Sequence, residues 1–66
     1  MDPEFRRELL PYVAQAAVGR AKGLSWEAIA RGMNVPADAV PGLQRLCPRE
    51  WEQIYNQALK IGRAHV

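Results

Sequence analysis

The sequence predicts an all-α fold, a small bundle of three to four helices. Apolar residues recur at three- and four-residue spacing in two segments, 26–33 and 51–59, as on the buried face of an amphipathic helix. Ser25 and Pro48 precede these segments, and both residue types favour the start of a helix. Gly23 stands between the first of these segments and an earlier apolar stretch, where it can end a helix.

Length and composition limit the classes of protein that need to be considered. The 66 residues allow one small domain, and the 48% of apolar residues is enough for a modest core. The single cysteine, Cys47, excludes an internal disulfide and favours a reducing compartment, so we expect a cytoplasmic protein. No apolar run approaches the roughly 20 residues that a membrane-spanning helix needs.

The two ends of the chain differ from its middle. Residues 1–5 resemble a translated cloning site, so we expect a cloning-derived leader over 1–5, a domain over 6–62 and a disordered tail over 63–66. The formal net charge is +2, and without Asp2 and Glu4 the nine basic residues against five acidic residues leave +4. This mild basic excess is compatible with nucleic-acid binding and equally with an ordinary solvated surface.

The first helix is expected between Pro3 and Lys22, and Pro11 is its difficulty. A proline inside a helix removes one hydrogen bond and clashes with the preceding turn, at a cost of about 3 kcal/mol. We therefore expect the helix to begin at Pro11, after a separate turn over 4–9; the alternative is a kink near Leu10. Its inner face is predicted to contain Phe5, Leu9, Tyr12, Val13, Ala16 and Ala17.

The segment 23–46 has the layout of a helix, a turn and a second helix. Ser25 is expected to cap a helix over about 26–33, which Gly32 or Asn34 ends in the left-handed conformation. Because Pro41 is tolerated only near the start of a helix, the next helix is expected over 39–46 with Asp38 as its cap. Its inward residues are predicted to be Val40, Leu43 and Leu46.

The run GLSWEAIARGMNVPADAV resembles the helix-turn-helix of bacterial homeodomain-like DNA-binding domains. It is also similar to the C-terminal helix-turn-helix of extracytoplasmic sigma factors. Leu43, Pro48 and Trp51 extend the resemblance to the homeodomain-like group. It implies a DNA-binding domain of a bacterial or phage regulator or recombinase-like protein. The chain departs from both families at Pro41 and Gly42, where they carry basic or polar residues facing DNA.

Under this resemblance, the second helix of the motif would enter the major groove. Its outward residues are predicted to be Ala37, Asp38, Pro41, Gly42, Gln44 and Arg45. Only Gln44 and Arg45 can contact bases, so base readout would be limited. Candidate phosphate contacts are Arg20, Lys22, Arg31 and Arg49. Arg20 and Lys22 are otherwise explained as helix-dipole compensation and Arg31 as a solvated side chain, whereas Arg49 stands at a helix N-terminus, where backbone N–H groups also favour phosphate.

The fourth helix is expected to begin at Pro48 and to end at Gly62. Its apolar stripe contains Trp51, Ile54, Tyr55, Ala58 and Leu59, and its polar face contains Glu52, Gln53, Asn56, Gln57 and Lys60. If the core leaves this stripe exposed, the stripe favours a second hypothesis. The domain would then be a protein-interaction or self-association module on a degenerate helix-turn-helix scaffold, with a homodimer through the fourth helix.

The sequence contains no pattern typical of an enzyme. Cys47 and His65 could form a catalytic dyad only with an ordered C-terminus and a third orienting group. One histidine and one cysteine do not make a structural zinc site, and no glycine-rich phosphate loop is present. We therefore expect no catalysis, cofactor, metal or small-molecule ligand.

Overall fold

The structure, a computed structural model, describes the backbone of residues 2–63 and the side chains of residues 2–61. It contains four α-helices and, within those residues, no strand, which confirms the all-α fold. The helices are α1 (Pro3–Ala21), α2 (Trp26–Met33), α3 (Ala39–Leu46) and α4 (Pro48–Arg63). The expected bounds of α2 and α3 and the expected start of α4 are therefore confirmed.

The prediction that the first helix begins at Pro11 is wrong, because α1 runs without interruption from Pro3 to Ala21. Asp2 caps it by accepting a hydrogen bond from the backbone N–H of Glu4 at 3.1 Å. Pro11 cannot donate to the carbonyl of Arg7, but both residues are exposed, so water can satisfy that carbonyl. Leu9 and Val13 pack into the core on either side of Pro11, and this packing offsets the lost hydrogen bond.

Two Schellman motifs end α1 and α2. After α1, Leu24 N–H donates to the carbonyl of Gly19 and Gly23 N–H donates to that of Arg20, both at 3.0 Å, with Gly23 at a φ of +90°. After α2, Asn34 takes the left-handed conformation with a φ of 59°. Asn34 was one of the two residues predicted for this position, the other being Gly32. Ser25 accepts from Ala28 N–H at 3.1 Å and caps α2 as expected.

The core lies between α1 and the other three helices, each of which α1 contacts. Its buried residues are mostly small: Val13, Ala16, Ala17, Ile29, Ala30, Val40, Cys47 and Trp51. Three predicted inward residues are not buried. Phe5, Tyr12 and Leu46 are 48%, 50% and 43% exposed.

Gly19 allows α1 and α2 to approach each other closely. A Cβ atom at this position would lie 2.9 Å from Cγ1 of Ile29, inside the van der Waals contact distance. Ile29 is buried, so its side chain has little room to move away. The absence of a side chain at Gly19 therefore makes room for the largest aliphatic side chain of the core.

Only Cys47 separates α3 from α4, and its side chain is fully buried. Cys47 N–H donates to the carbonyl of Leu43 at 3.0 Å, and Trp51 N–H donates to the carbonyl of Cys47 at 2.9 Å. α4 continues through Gly62 to Arg63, so the prediction that Gly62 ends this helix is wrong. The rest of the expected tail, 64–66 with His65, lies outside the described residues.

We predict opposite effects on stability for the same substitution at two helical glycines. Gly19→Ala should lower the free energy of unfolding by about 1–2 kcal/mol, because overpacking against Ile29 exceeds the gain in helix propensity. Gly42→Ala should raise it by about 0.5–1 kcal/mol, because no atom lies within 4 Å of the position that an alanine Cβ would take there. Urea unfolding followed by tryptophan fluorescence measures both values, and similar changes in the two variants would contradict the packing described for Gly19.

Candidate nucleic-acid interface

α3 is a short helix at the surface, and its inner side packs on the core while its outer side faces solvent. Asn34 reverses the chain after α2, and Ala39 N–H donates to the carbonyl of Pro36 at 3.0 Å in the turn before α3. Val35 packs against the core and Val40 is fully buried, so both ends of the turn are held. Asp38 stands at the N-cap position of α3, but its side chain makes no capping hydrogen bond.

The exposed surface of α3 carries few side chains that could contact a ligand. Gln44 and Arg45 are exposed as predicted, and Asp38 is exposed at the start of the helix. Pro41 and Gly42, expected to face outward, are half-buried. This surface therefore offers one guanidinium and one amide, with one carboxylate that would repel a phosphate.

Arg20 is held in place by contacts within the domain. Its guanidinium lies 4.3 Å from the centre of the Trp26 ring, and its Nη1 donates to the carbonyl of Leu24 at 2.8 Å. Trp26 in turn lies 5.9 Å from Trp51, centre to centre, so the three side chains form one stack. This structural role of Arg20 was not predicted from the sequence. The feature that could have indicated it is the position of Arg20, six residues before Trp26 at the start of α2.

The structure brings Arg20 and Gln44 together and leaves Lys22 and Arg31 apart from them. Arg20 and Gln44 line the same surface groove, together with Trp26 and Trp51. Lys22 is exposed and lines a different groove, along the other side of α1. Arg31 is exposed on the outer face of α2, one turn after Glu27, whose charge partly offsets it.

Arg49 is exposed in the first turn of α4, four residues after Arg45. Because only Cys47 separates the two helices, Arg45 and Arg49 lie on the two sides of one junction. The neighbouring Glu50 forms an ion pair with Arg6 of α1, with Oε2 and Nε 3.2 Å apart. That pair draws the carboxylate of Glu50 toward α1, which leaves Arg49 as the exposed charge of this turn.

The apolar stripe of α4 is largely covered by the core. Trp51 is buried, and the remaining residues of the stripe are half-buried: Ile54, Tyr55, Ala58 and Leu59. The opposite side of α4, which we call the outer face, is exposed along its length and consists of Arg49, Gln53, Asn56, Gln57 and Lys60. Sequence reasoning assigned no function to the amides of this face; the available signal was that Asn56 and Gln57 follow Gln53 by three and four residues, on one side of the helix.

A second feature without a sequence-based role is an apolar groove between α1 and the turn before α3. Its volume is about 410 Å³, and it is lined by Leu9, Tyr12, Met33, Asn34, Val35, Ala39 and Leu43. Tyr12, which lines this groove, is an exposed large apolar side chain, and so is Leu46 at the end of α3.

Two observations on the described residues bear on metal binding and catalysis. Among its His, Cys, Asp and Glu residues, no three stand together in a way that could hold a metal ion. Cys47 is buried, and its proposed partner His65 lies outside the described residues. None of the described helices combines the length and the apolarity needed to cross a membrane.

These observations define the described part of the chain as an all-α, four-helix domain with exposed polar side chains on α3 and on α4. No known protein family, curated protein or solved structure matches it.

Arg20 and Lys22 should differ in their effect on stability. Arg20→Ala removes the hydrogen bond to Leu24 and the stacking on Trp26, and should lower the free energy of unfolding by about 1 kcal/mol. Lys22→Ala changes an exposed side chain and should stay within about 0.5 kcal/mol of the parent. Thermal unfolding by circular dichroism compares them. Equal stabilities would show that the stack contributes nothing to the fold.

Proposed function

We propose that this domain binds double-stranded DNA through α3 and the start of α4. The observation that carries the proposal is the exposure of Gln44 and Arg45 on the second helix of a helix–turn–helix arrangement, together with that of Arg49 at the start of the next helix. An arginine can pair with guanine and a glutamine with adenine in the major groove. The resemblance of residues 23–40 to homeodomain-like DNA-binding domains supports the same proposal.

Phosphate contacts would come from exposed basic residues around this junction. Arg49 is suited to this role because it lies in the first turn of α4, where unpaired backbone N–H groups and the helix dipole attract anions. Lys22 and Arg31 are exposed and remain candidates. Arg20 is the weakest candidate, since its guanidinium already contacts Trp26 and Leu24.

The test is a fluorescence-anisotropy titration with a random-sequence duplex at several salt concentrations, followed by selection of a preferred site. Arg49→Ala should weaken binding to all duplexes alike and reduce the salt dependence by about one released counterion. Arg45→Ala should cost about 1–3 kcal/mol at the selected site and less on random sequence. No salt-dependent binding by the parent domain would refute the proposal, and equal effects of the two variants would refute these roles.

Asp38 provides a further test, because its carboxylate lies on the proposed DNA-facing surface and makes no capping bond. Asp38→Asn should raise the affinity for any duplex roughly twofold to fivefold at low salt, since an exposed charge interaction is worth up to about 1 kcal/mol. The control is Glu8→Gln on α1, which removes the same charge elsewhere and should have a smaller effect. An equal gain in both variants would mean that only net charge matters.

A second candidate function is protein binding, which the apolar groove between α1 and the turn before α3 favours. Self-association through α4 has less support, because the core covers much of the apolar stripe of that helix. Sedimentation over a range of protein concentrations separates the two functions. Concentration-dependent association without any DNA binding would favour the protein-binding candidate.

A further inference from the structure

The outer face of α4 carries more groove-compatible side chains than α3 does. At 100° per residue, Arg49, Gln53, Asn56, Gln57 and Lys60 fall within an arc of about 100°. This arc lies opposite the side of α4 that packs on the core through Trp51. It contains no acidic residue: Glu50 is paired with Arg6 at one edge, and Glu52 is exposed just beyond the other edge, one turn before Asn56, with which it lines a groove.

The side chains of this face have the chemistry that adenine bases require. Asparagine and glutamine amides form paired hydrogen bonds with N6 and N7 of adenine in the major groove. Gln53, Asn56, Gln57 and Lys60 line one open surface depression. Within residues 2–61, the hydrogen bonds and ion pairs between side chains and the rest of the domain involve none of these four.

The dimensions of the face also fit a DNA groove. From Arg49 to Lys60 the helix rises about 16 Å, which corresponds to about five base-pair steps of B-DNA. The major groove is about 12 Å wide and admits one α-helix. A basic residue stands at each end of the face, where the two groove walls present phosphates.

The identity of the central residue is not explained by helix stability. Asparagine is a poorer helix former than glutamate, lysine or alanine, and Asn56 stands in the middle of a 16-residue helix. An exposed helix surface needs only solubility, which charged residues of higher propensity provide. The three amides between Arg49 and Lys60 are exposed and therefore free to form hydrogen bonds with a partner.

We propose that the outer face of α4 reads adenine-containing sequence in the major groove of double-stranded DNA, with Gln53 and Asn56 as the principal base contacts. This inference rests on the proposed DNA-binding function and adds adenine readout by α4 to the base contacts proposed for Gln44 and Arg45 on α3. Arg49 and Lys60 contact phosphates at the two ends.

The experiment measures affinities for two duplexes of equal length, one of A·T pairs and one of G·C pairs, by fluorescence anisotropy. The parent domain should prefer the A·T duplex. The double variant Gln53→Ala with Asn56→Ala should lower the A·T-to-G·C affinity ratio by about tenfold or more. Lys60→Ala should weaken both duplexes alike and reduce the salt dependence. Circular dichroism should show folded variants, because alanine favours an exposed helix position.

Two controls separate this inference from the function on which it rests. Gln15→Ala removes an exposed glutamine from α1 and should leave the affinity ratio unchanged. Gln44→Ala tests α3 in the same way. If Gln44→Ala abolishes the A·T preference and the α4 double variant does not, the role of α4 is overturned while DNA binding stands. A parent domain without preference between the duplexes also overturns the role of α4, and one that binds neither duplex overturns both proposals.

Discussion

The small side chains on the inner face of α1 are the constraint on which the rest of the structure depends. Val13, Ala16, Ala17 and Gly19 project little from the helix, so α2, α3 and α4 can all pack directly against it. The core contains few large side chains, so its stability depends on the close approach of the helices to one another. Gly19 is the clearest case: the position of Ile29, and with it the position of α2, requires that no Cβ atom stand there.

This thin core also determines which side chains remain available at the surface. α2 and α4 have no close backbone approach among the described residues, and Trp26 and Trp51 bridge them side chain to side chain. Arg20 covers the outside of that bridge by lying over the Trp26 ring and donating to the carbonyl of Leu24. Arg20, which the sequence predicts as a phosphate contact, therefore has a structural role in covering the Trp26–Trp51 contact. Gln44 lines the same groove as Arg20.

The exposed polar surface of α3 and the outer face of α4 differ in length and in how firmly they are held. The surface of α3 is short, and Pro41 and Gly42 leave Gln44 and Arg45 as its functional side chains. The outer face of α4 belongs to a longer helix whose opposite side is anchored by Trp51. Side chains on a rigid, well-packed helix are held more precisely than those at the end of a short one, so α4 is better suited to hydrogen bonding with defined geometry.

The sequence by itself determined the fold class and several local features: the capping by Ser25, a left-handed residue at Gly32 or Asn34 and the start of α4 at Pro48. Each local feature depends on neighbouring residues whose conformational preferences act over one helical turn. The exposure of Gln44 and Arg45 followed in the same way from helical periodicity. Only the tertiary structure decided that α1 continues through Pro11, that Leu46 and Tyr12 stay exposed and that Arg20 stacks on Trp26. These outcomes depend on which helices lie close enough to cover a side chain or to offset a lost hydrogen bond, and that distance is set by the packing of the whole domain.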